Sequence, residues 1–287
     1  MQDVPRLIPF SAGTSSPAVQ LPAFACDCHM HVFDSNFPAV LNAPVIAPDA
    51  SLSDYQLLRN RLAIQRSIVV QPSVYGTDNS LLLRVLAQGG DSIRGVAVVN
   101  DQVSNDELQC LMASGVVGIR FNQVQKGATE LQMLTTLGPR LIELGWHAQM
   151  HLTGRQLLES ASAIADANFP VVLDHFARMC ADEVISPHVQ KVVFELMRKK
   201  NMWLKLTAPY LASASGAPYF SDLSPILKRL ANEFPDQLVW GTDWPHATEV
   251  EKPDDAKLLD WLDQTLGSVE IRKAILVDNA SRLYRFS

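Results

Sequence analysis

Ala23-Phe24-Ala25-Cys26-Asp27-Cys28-His29-Met30-His31-Val32-Phe33 is an apolar run that ends in two imidazoles. Read as a strand, it sends alternate side chains to one face. Asp27, His29 and His31 are then expected on one face, with Cys26, Cys28 and Met30 on the other, packed under helices. Imidazoles at i and i+2 stand about 6.5 Å apart along a strand, so both can reach one metal ion or one bound oxygen. A second run, Leu238-Val239-Trp240-Gly241-Thr242-Asp243-Trp244-Pro245-His246, also ends in polar groups. Between the two lie Trp146-His147-Ala148-Gln149-Met150-His151 and Val171-Val172-Leu173-Asp174-His175. Titratable groups thus recur at the C-terminal ends of apolar runs, where a barrel of parallel strands carries its chemistry.

The remaining chain supports that reading. Residues 1–22, rich in Pro, Ser, Ala and Gly, read as an irregular arm. From residue 23 to 287 apolar runs alternate with helical patterns. Further strands are expected at Ser67–Ser73, Ile93–Val99, Val116–Phe121 and Met202–Thr207. Helices are expected between the strands, among them Glu130–Leu144, broken near Gly138-Pro139, and a terminal helix over Val269–Phe286. Continuous apolar strands alternating with helices indicate a parallel sheet covered on both faces. Eight such units fit a closed (β/α)8 barrel of TIM type, in a single domain. The loop from Asp34 to Asp49 is expected to roof the site.

The chain has 287 residues, 47% hydrophobic and 19% charged, with a formal charge of −6 and no basic block. Nucleic acid is therefore a poor partner. No run is long enough to cross a membrane, and no signal peptide is visible, so the expected location is the cytoplasm. The four cysteines suggest no disulfide framework; Cys26 and Cys28 read as small buried apolar residues.

Singly, a histidine on a strand or an aspartate after one is as readily structural as functional. The coincidence of His29, His31, His151, His175 and Asp243 at strand ends resembles the amidohydrolase superfamily. Within it, the chain is similar to the branch of 2-pyrone-4,6-dicarboxylate lactonase and related sugar-lactone and muconolactone hydrolases. The matching segments are Gln71-Pro72-Ser73-x-x-Gly76-Thr77-Asp78-Asn79, Gly118-Ile119-Arg120-Phe121-Asn122, Asp174-His175-Phe176 and Gly241-Thr242-Asp243-Trp244-Pro245-His246. The resemblance implies hydrolysis of a small, carboxylated cyclic ester. Asp243 would be the general base on the attacking water, and His29, His31 and His175 would polarise the carbonyl. Arg120 would pair with a substrate carboxylate, since a planar fork suits that geometry. Ser73, Lys126, Tyr210 and His151 complete the expected substrate-binding set.

Two departures qualify the match. Strand four ends in Arg120, where many superfamily members carry a metal ligand; a guanidinium cannot ligate. Two arrangements then stand open: no cofactor, or one divalent metal such as zinc held by His29, His31, His151 and Asp243. Leu204 to Leu211 offers no arginine where the dicarboxylate lactonases carry a further one, so one substrate carboxylate is expected. The same scaffold also supports zinc-dependent non-oxidative decarboxylation and aldaro-lactone isomerisation. The Gly-Ile-Arg-Phe-Asn and Gln-Pro-Ser segments favour lactone hydrolysis.

Overall fold

Eight parallel strands follow the eight apolar runs and hydrogen-bond in sequence order. They are β1 (Cys26–Met30), β2 (Arg66–Val70), β3 (Ile93–Ala97), β4 (Val116–Asn122), β5 (His147–His151), β6 (Val171–Leu173), β7 (Met202–Leu206) and β8 (Leu238–Trp240). A parallel bridge between Met30 and Trp244 brings the last strand back to the first. The chain is therefore a (β/α)8 barrel. This computed structural model describes residues 7–41, 43, 47–125 and 127–287; Lys126 lies outside them.

The intervening helices are α1 (Leu52–Leu62), α2 (Ser80–Gly89), α3 (Asn105–Ala113), α4 (Leu134–Leu144), α5 (Gly154–Ala165), α6 (Ser186–Met197), the single turn α7 (Pro209–Ala212), α8 (Ser224–Glu233) and α9 (Asp255–Leu266). Their starts have chemical causes. Ser51 with Asp54, and Thr153 with Gln156, form reciprocal capping boxes for α1 and α5. Asp254 caps α9 by accepting from the Ala256 N–H. Helix α4 does not break at Gly138-Pro139 as expected: a 3₁₀ turn at Leu131–Met133 precedes it, and Pro139 sits inside the helix. The expected terminal helix is α10 (Val269–Lys273) and α11 (Asn279–Tyr284), separated by a π-helical turn at Ala274–Asp278. No helix among the described residues is long and apolar enough to cross a membrane.

The core has two layers. Strand residues such as Val69, Ile119, Met150, Leu173 and Leu206 pack outward against the helices. The alternate set, Cys26, Cys28, Ile68, Val70, Val96, Val117, Val172 and Val239, packs with Leu283, Tyr284 and Phe286. That second cluster fills the barrel interior, and α11 closes its N-terminal end. The cysteines thus lie inside the barrel rather than under the surrounding helices; both are free and buried.

This placement corrects the expected phase of β1. Pairing with β2 runs Cys26 to Arg66 and Asp27 to Ser67, then jumps to Met30 opposite Val69. Three steps on β1 oppose two on β2, which is a β-bulge. The bulge resets the alternation. Cys26 and Cys28 face the interior, Asp27 turns toward Tyr55 of α1, and His29 still reaches the C-terminal mouth of the barrel.

His147 is buried edge-on to Tyr284, with ring centroids 5.4 Å apart. A Cβ on Gly118 would sit 2.4 Å from its ring, so a glycine is required there. Burial, aided by the Lys205 charge, pushes the His147 pKa down to about 3. The native ring is neutral where the unfolded one, near 6.5, takes a proton. Its contribution to stability is complete above about pH 6.5 and is lost as pH falls toward 3, at up to roughly 1.4 kcal/mol per pH unit. His147→Phe keeps the ring and removes the titration. Its unfolding free energy, followed by urea denaturation between pH 6.5 and 4, is expected to fall less steeply than that of the wild type. Parallel curves would show that His147 does not carry the acid sensitivity.

Candidate active site

The site is built on the seam between β1 and β8. The Asp27 carboxylate is fully buried. Its Oδ1 accepts from the backbone N–H of His29 at 3.0 Å and of Thr242 at 2.9 Å. Its Oδ2 accepts from Thr242 Oγ1 at 2.6 Å and Tyr55 Oη at 2.8 Å. Above it, the Asp243 N–H donates to the His29 carbonyl, and the His31 N–H to the Trp244 carbonyl, both at 2.8 Å. A Cβ on Gly241 would lie 2.6 Å from the His29 nitrogen, so this approach needs glycine.

At the C-terminal mouth the expected catalytic groups converge. His29 Nε2 and His31 Nε2 are 3.3 Å apart, and each is 3.6 Å from Asp243 Oδ1. His175 joins them: donor atoms of His29, His175 and Asp243 lie within 4.8 Å of one another. Burial alone would raise the Asp243 carboxyl, but His175, His31 and His29 outweigh it and hold the group ionised, far below the ordinary range. Burial likewise pushes His29, His151 and His175 below the ordinary imidazole range.

Second contacts set which ring nitrogen carries the proton. His31 Nδ1 lies 2.7 Å from the Val70 carbonyl. It must donate there, which leaves Nε2 as a lone pair in the neutral ring. His29 Nδ1 has two neighbours, Lys205 Nζ and Asp174 Oδ1, both at 3.4 Å. A proton from Lys205 makes Nε2–H a donor into the site. A proton given to Asp174 instead frees the Nε2 lone pair for a cation. Lys205 is buried in the barrel, 2.6 Å from Gln149 Oε1 and 3.6 Å from Asp174 Oδ1, and Gln149 Nε2 donates to Asp174 Oδ2 at 3.0 Å.

This donor set fits one divalent metal. Tetrahedral zinc with ligands at about 2.0–2.1 Å needs donor spacings near 3.3–3.4 Å, close to the His29–His31–Asp243 triangle. The Val70 carbonyl behind His31 is also the second contact such a ligand needs. His151 stands apart from the triangle. Its Nε2 receives the Arg178 Nε–H at 3.3 Å, and its ring lies 4.6 Å from that of His175.

The adjoining cavity is lined by His31, Ser73, Arg120, His151, His175 and Asp243, and also by Arg178. Arg120 Nη1 donates to the Gln71 carbonyl at 3.0 Å. Its buried Nε has no hydrogen-bond partner among the described residues. Ser73 Oγ accepts from Asn122 Nδ2 at 2.9 Å, leaving its own proton to give. Tyr210 does not line the cavity; its hydroxyl donates to Asp243 Oδ2 at 3.0 Å. No described residue of the Asp34–Asp49 loop lines it either, although Phe33 does.

Arg178 is a cation that sequence reasoning missed. After β6, His175, Phe176, Ala177 and Arg178 have φ of 52°, 51°, 50° and 52°. Four successive non-glycine residues in the left-handed region cost about 1–2 kcal/mol each. This turn brings both His175 and Arg178 to the cavity, and no sequence signal announces it.

The family model described as Amidohydrolase matches residues 26–286. A 2-pyrone-4,6-dicarboxylate hydrolase of Comamonas testosteroni is 32% identical, covering 99% of this chain and 97% of that protein. A 4-sulfomuconolactone hydrolase of Rhizobium radiobacter is 33% identical, covering 92% of this chain and 91% of that one. A solved apo structure from Agrobacterium tumefaciens superposes with a TM-score of 0.85 at 26% identity, over 95% of this chain and 99% of that one.

Removing Asp27 should damage the seam more than removing any one of its donors. Asp27→Ala leaves buried donors without an acceptor and is expected to cost on the order of 3–5 kcal/mol. Tyr55→Phe, which removes one hydroxyl, is expected to cost about 1 kcal/mol. Urea midpoints at unchanged m-value measure both; equal losses would show that the carboxylate does not organise the seam.

Proposed function

The chain belongs to the amidohydrolase family, whose model spans residues 26–286, and we propose that it opens a small anionic lactone by addition of water. One observation carries the reading: the carboxylate of Asp243 meets two imidazoles at 3.6 Å beside a cavity that holds two guanidinium groups. The names of the two relatives, both hydrolases, one of a pyrone dicarboxylate and one of a sulfomuconolactone, support it over decarboxylation or isomerisation.

The residues have these roles. Water rests between Asp243 Oδ1 and the His31 Nε2 lone pair. Oδ1 takes a proton as the water oxygen bonds to the lactone carbonyl carbon. The carbonyl electron pair moves onto its oxygen, which faces His29 Nε2–H, the tautomer that Lys205 supports. His175 faces the same oxygen. The Thr207 hydroxyl accepts from the His175 N–H at 3.3 Å and lies 2.9 Å from Nδ1; its proton, given to Nδ1, leaves Nε2–H free to donate. When the carbonyl re-forms, the ring C–O bond breaks. The leaving oxygen takes the proton from Asp243, and one water has yielded one ring-opened acid. A divalent cation, where bound, would be held by His29, His31, His175 and Asp243, and would supply Lewis-acid polarisation of the carbonyl.

Arg120 and Arg178 bind the substrate anion, with Ser73 donating to the same ligand. Lys126, outside the described residues, remains a candidate third cation. Burial lowers both guanidinium pKa values from their ordinary level, while the Asp243 charge holds both up. A buried guanidinium without an anion is costly, and the unpartnered Arg120 Nε is the vacant valence. Two cations at one cavity revise the expectation of a single carboxylate: the site suits two negative charges, or one bidentate anion.

Two outcomes test the reading. Asp243→Asn should leave the fold intact and lower turnover of 2-pyrone-4,6-dicarboxylate or 4-sulfomuconolactone by ~10²–10⁴-fold; near-wild-type turnover would remove Asp243 from the base role. Arg120→Met should raise KM for the pyrone dicarboxylate far more than for its dimethyl ester, since losing one partner of a charge-assisted pair costs about 2–5 kcal/mol. Equal losses on acid and ester would make Arg120 structural and point to a neutral lactone.

A further inference from the structure

Behind Asp243, on the side away from the histidines, a line of buried polar groups runs to the N-terminal arm. Tyr210 Oη lies 3.0 Å from Asp243 Oδ2 and 2.9 Å from His246 Nδ1. His246 Nε2 lies 3.2 Å from Asp255 Oδ2, and Ser11 Oγ donates to that oxygen at 2.5 Å. Arg61 Nη2 donates to Ser11 Oγ and to Asp254 Oδ1, each at 3.0 Å. His246 and Asp255 are almost wholly buried, at 0% and 1% exposure. Neither lines the cavity.

Hydrogen-bond polarity runs one way along this line. A carboxylate only accepts, so the single Tyr210 proton points to Asp243 Oδ2. The phenol oxygen must then accept from His246 Nδ1–H. On its other side, His246 Nε2 faces Asp255 Oδ2, which fixes the plane of the ring. Asp255 stands in the first turn of α9, just after the Asp254 cap, where the helix dipole favours its negative charge.

The consequence concerns the two oxygens of the base. Oδ2 is occupied by Tyr210. Oδ1 faces His29 and His31 at 3.6 Å. Asp243 has φ of 66° and His246 φ of 53°, and the His246 N–H donates to the Asp243 carbonyl at 2.8 Å. The segment holds a strained backbone only where its surroundings over-determine it, and the Tyr210–His246–Asp255 line is such a surrounding.

We propose that His246 and Asp255 are positioning residues that act through Tyr210 to hold Asp243 Oδ2 and so reserve Oδ1 as the oxygen that takes the proton from water. The proposal rests on Asp243 being the general base. It makes the arm residue Ser11 the outer end of the active-site support, and it removes Tyr210 from the substrate-contacting set.

The test uses full-length protein with the pyrone dicarboxylate or sulfomuconolactone as substrate. Tyr210→Phe, nearly isosteric, should lower kcat about 10- to 100-fold, the scale of a small misplacement of a reacting group, with KM changed less than about twofold. His246→Leu should cost the same. His246→Asn, whose amide N–H can replace Nδ1–H, should recover most of kcat. The double variant Tyr210→Phe/His246→Leu should be no worse than either alone, because both act through one hydrogen bond. In ¹⁵N-labelled protein, independently of any substrate, His246 Nδ1 should carry a proton. Wild-type kcat in Tyr210→Phe, an effect confined to KM, additive losses, or a bare His246 Nδ1 would each overturn the proposal. An active Asp243→Asn would instead overturn the base assignment itself, so the two failures are distinguishable.

Discussion

Asp27 is the constraint on which the site depends. A carboxylate buried in a strand is costly unless every lone pair is answered. Here two backbone N–H groups and two hydroxyls answer it. Three of these donors come from outside β1: Thr242 supplies two from just beyond β8, and Tyr55 supplies one from α1. Satisfying one acid therefore joins three elements. Alternation sets Asp27 on the face opposite Cys26 and Cys28, and the register shift on β1 follows it, between Asp27 and Met30. The bulge then turns the strand back so that His29 and His31 reach the mouth. The seam that closes the barrel and the geometry that sets His29 against Asp243 are one arrangement.

Below the mouth, the interior is polar where a barrel core is usually aliphatic. Lys205 donates to Gln149 and Gln149 to Asp174 Oδ2, while Asp174 Oδ1 is held only by the charges of Lys205 and His29 at 3.6 and 3.4 Å. Burial opposes the Asp174 charge, but His29 and Lys205 outweigh it and keep its carboxyl ionised. The Lys205 ammonium lies 5.8 Å from the Tyr284 ring, so α11 supplies the floor of this layer as well as the lid of the barrel's N-terminal end. A pair of fully buried charges adds little net stability over apolar residues of equal volume. Its effect here is on chemistry, since His29 meets a donor and an acceptor at equal distance and its tautomer follows from whichever one it engages.

Much of this was legible in the sequence. Eight apolar runs gave eight strands, and His29, His31, His175 and Asp243 stand where the strand-end rule put them. The strand phase was not legible at Asp27, because alternation does not say which face is interior and cannot foresee the register shift between Asp27 and Met30. Nor was Arg178, since its direction depends on a left-handed turn built from ordinary residues. Lys205 did leave a signal, a charge between Leu204 and Leu206 in an apolar strand. Charge in a fully buried strand implies a buried partner, and the partner was Asp174, already at hand as the residue before His175. Tyr210 and His246 were visible as polar residues near strand ends, but only spatial contact reveals that they address Asp243 rather than the cavity.

The electrostatics of the site also bear on how a weak base can serve. A carboxylate held far below its ordinary range accepts a proton poorly from bulk water. In this site the field that depresses Asp243 has neighbours that an anionic substrate would neutralise. Arg120 and Arg178 both sense the Asp243 charge, and a substrate carboxylate seated on them cancels part of the positive potential around it. The same ligand excludes water from a cavity whose groups are already buried, which strengthens every remaining interaction there. On the proposed function, an anion seated on Arg120 and Arg178 would add negative charge beside Asp243 and so raise its proton affinity as the carbonyl arrives. A neutral lactone of the same shape would leave the arginines unanswered and the base weak, so recognition of charge and activation of water are coupled through one carboxylate.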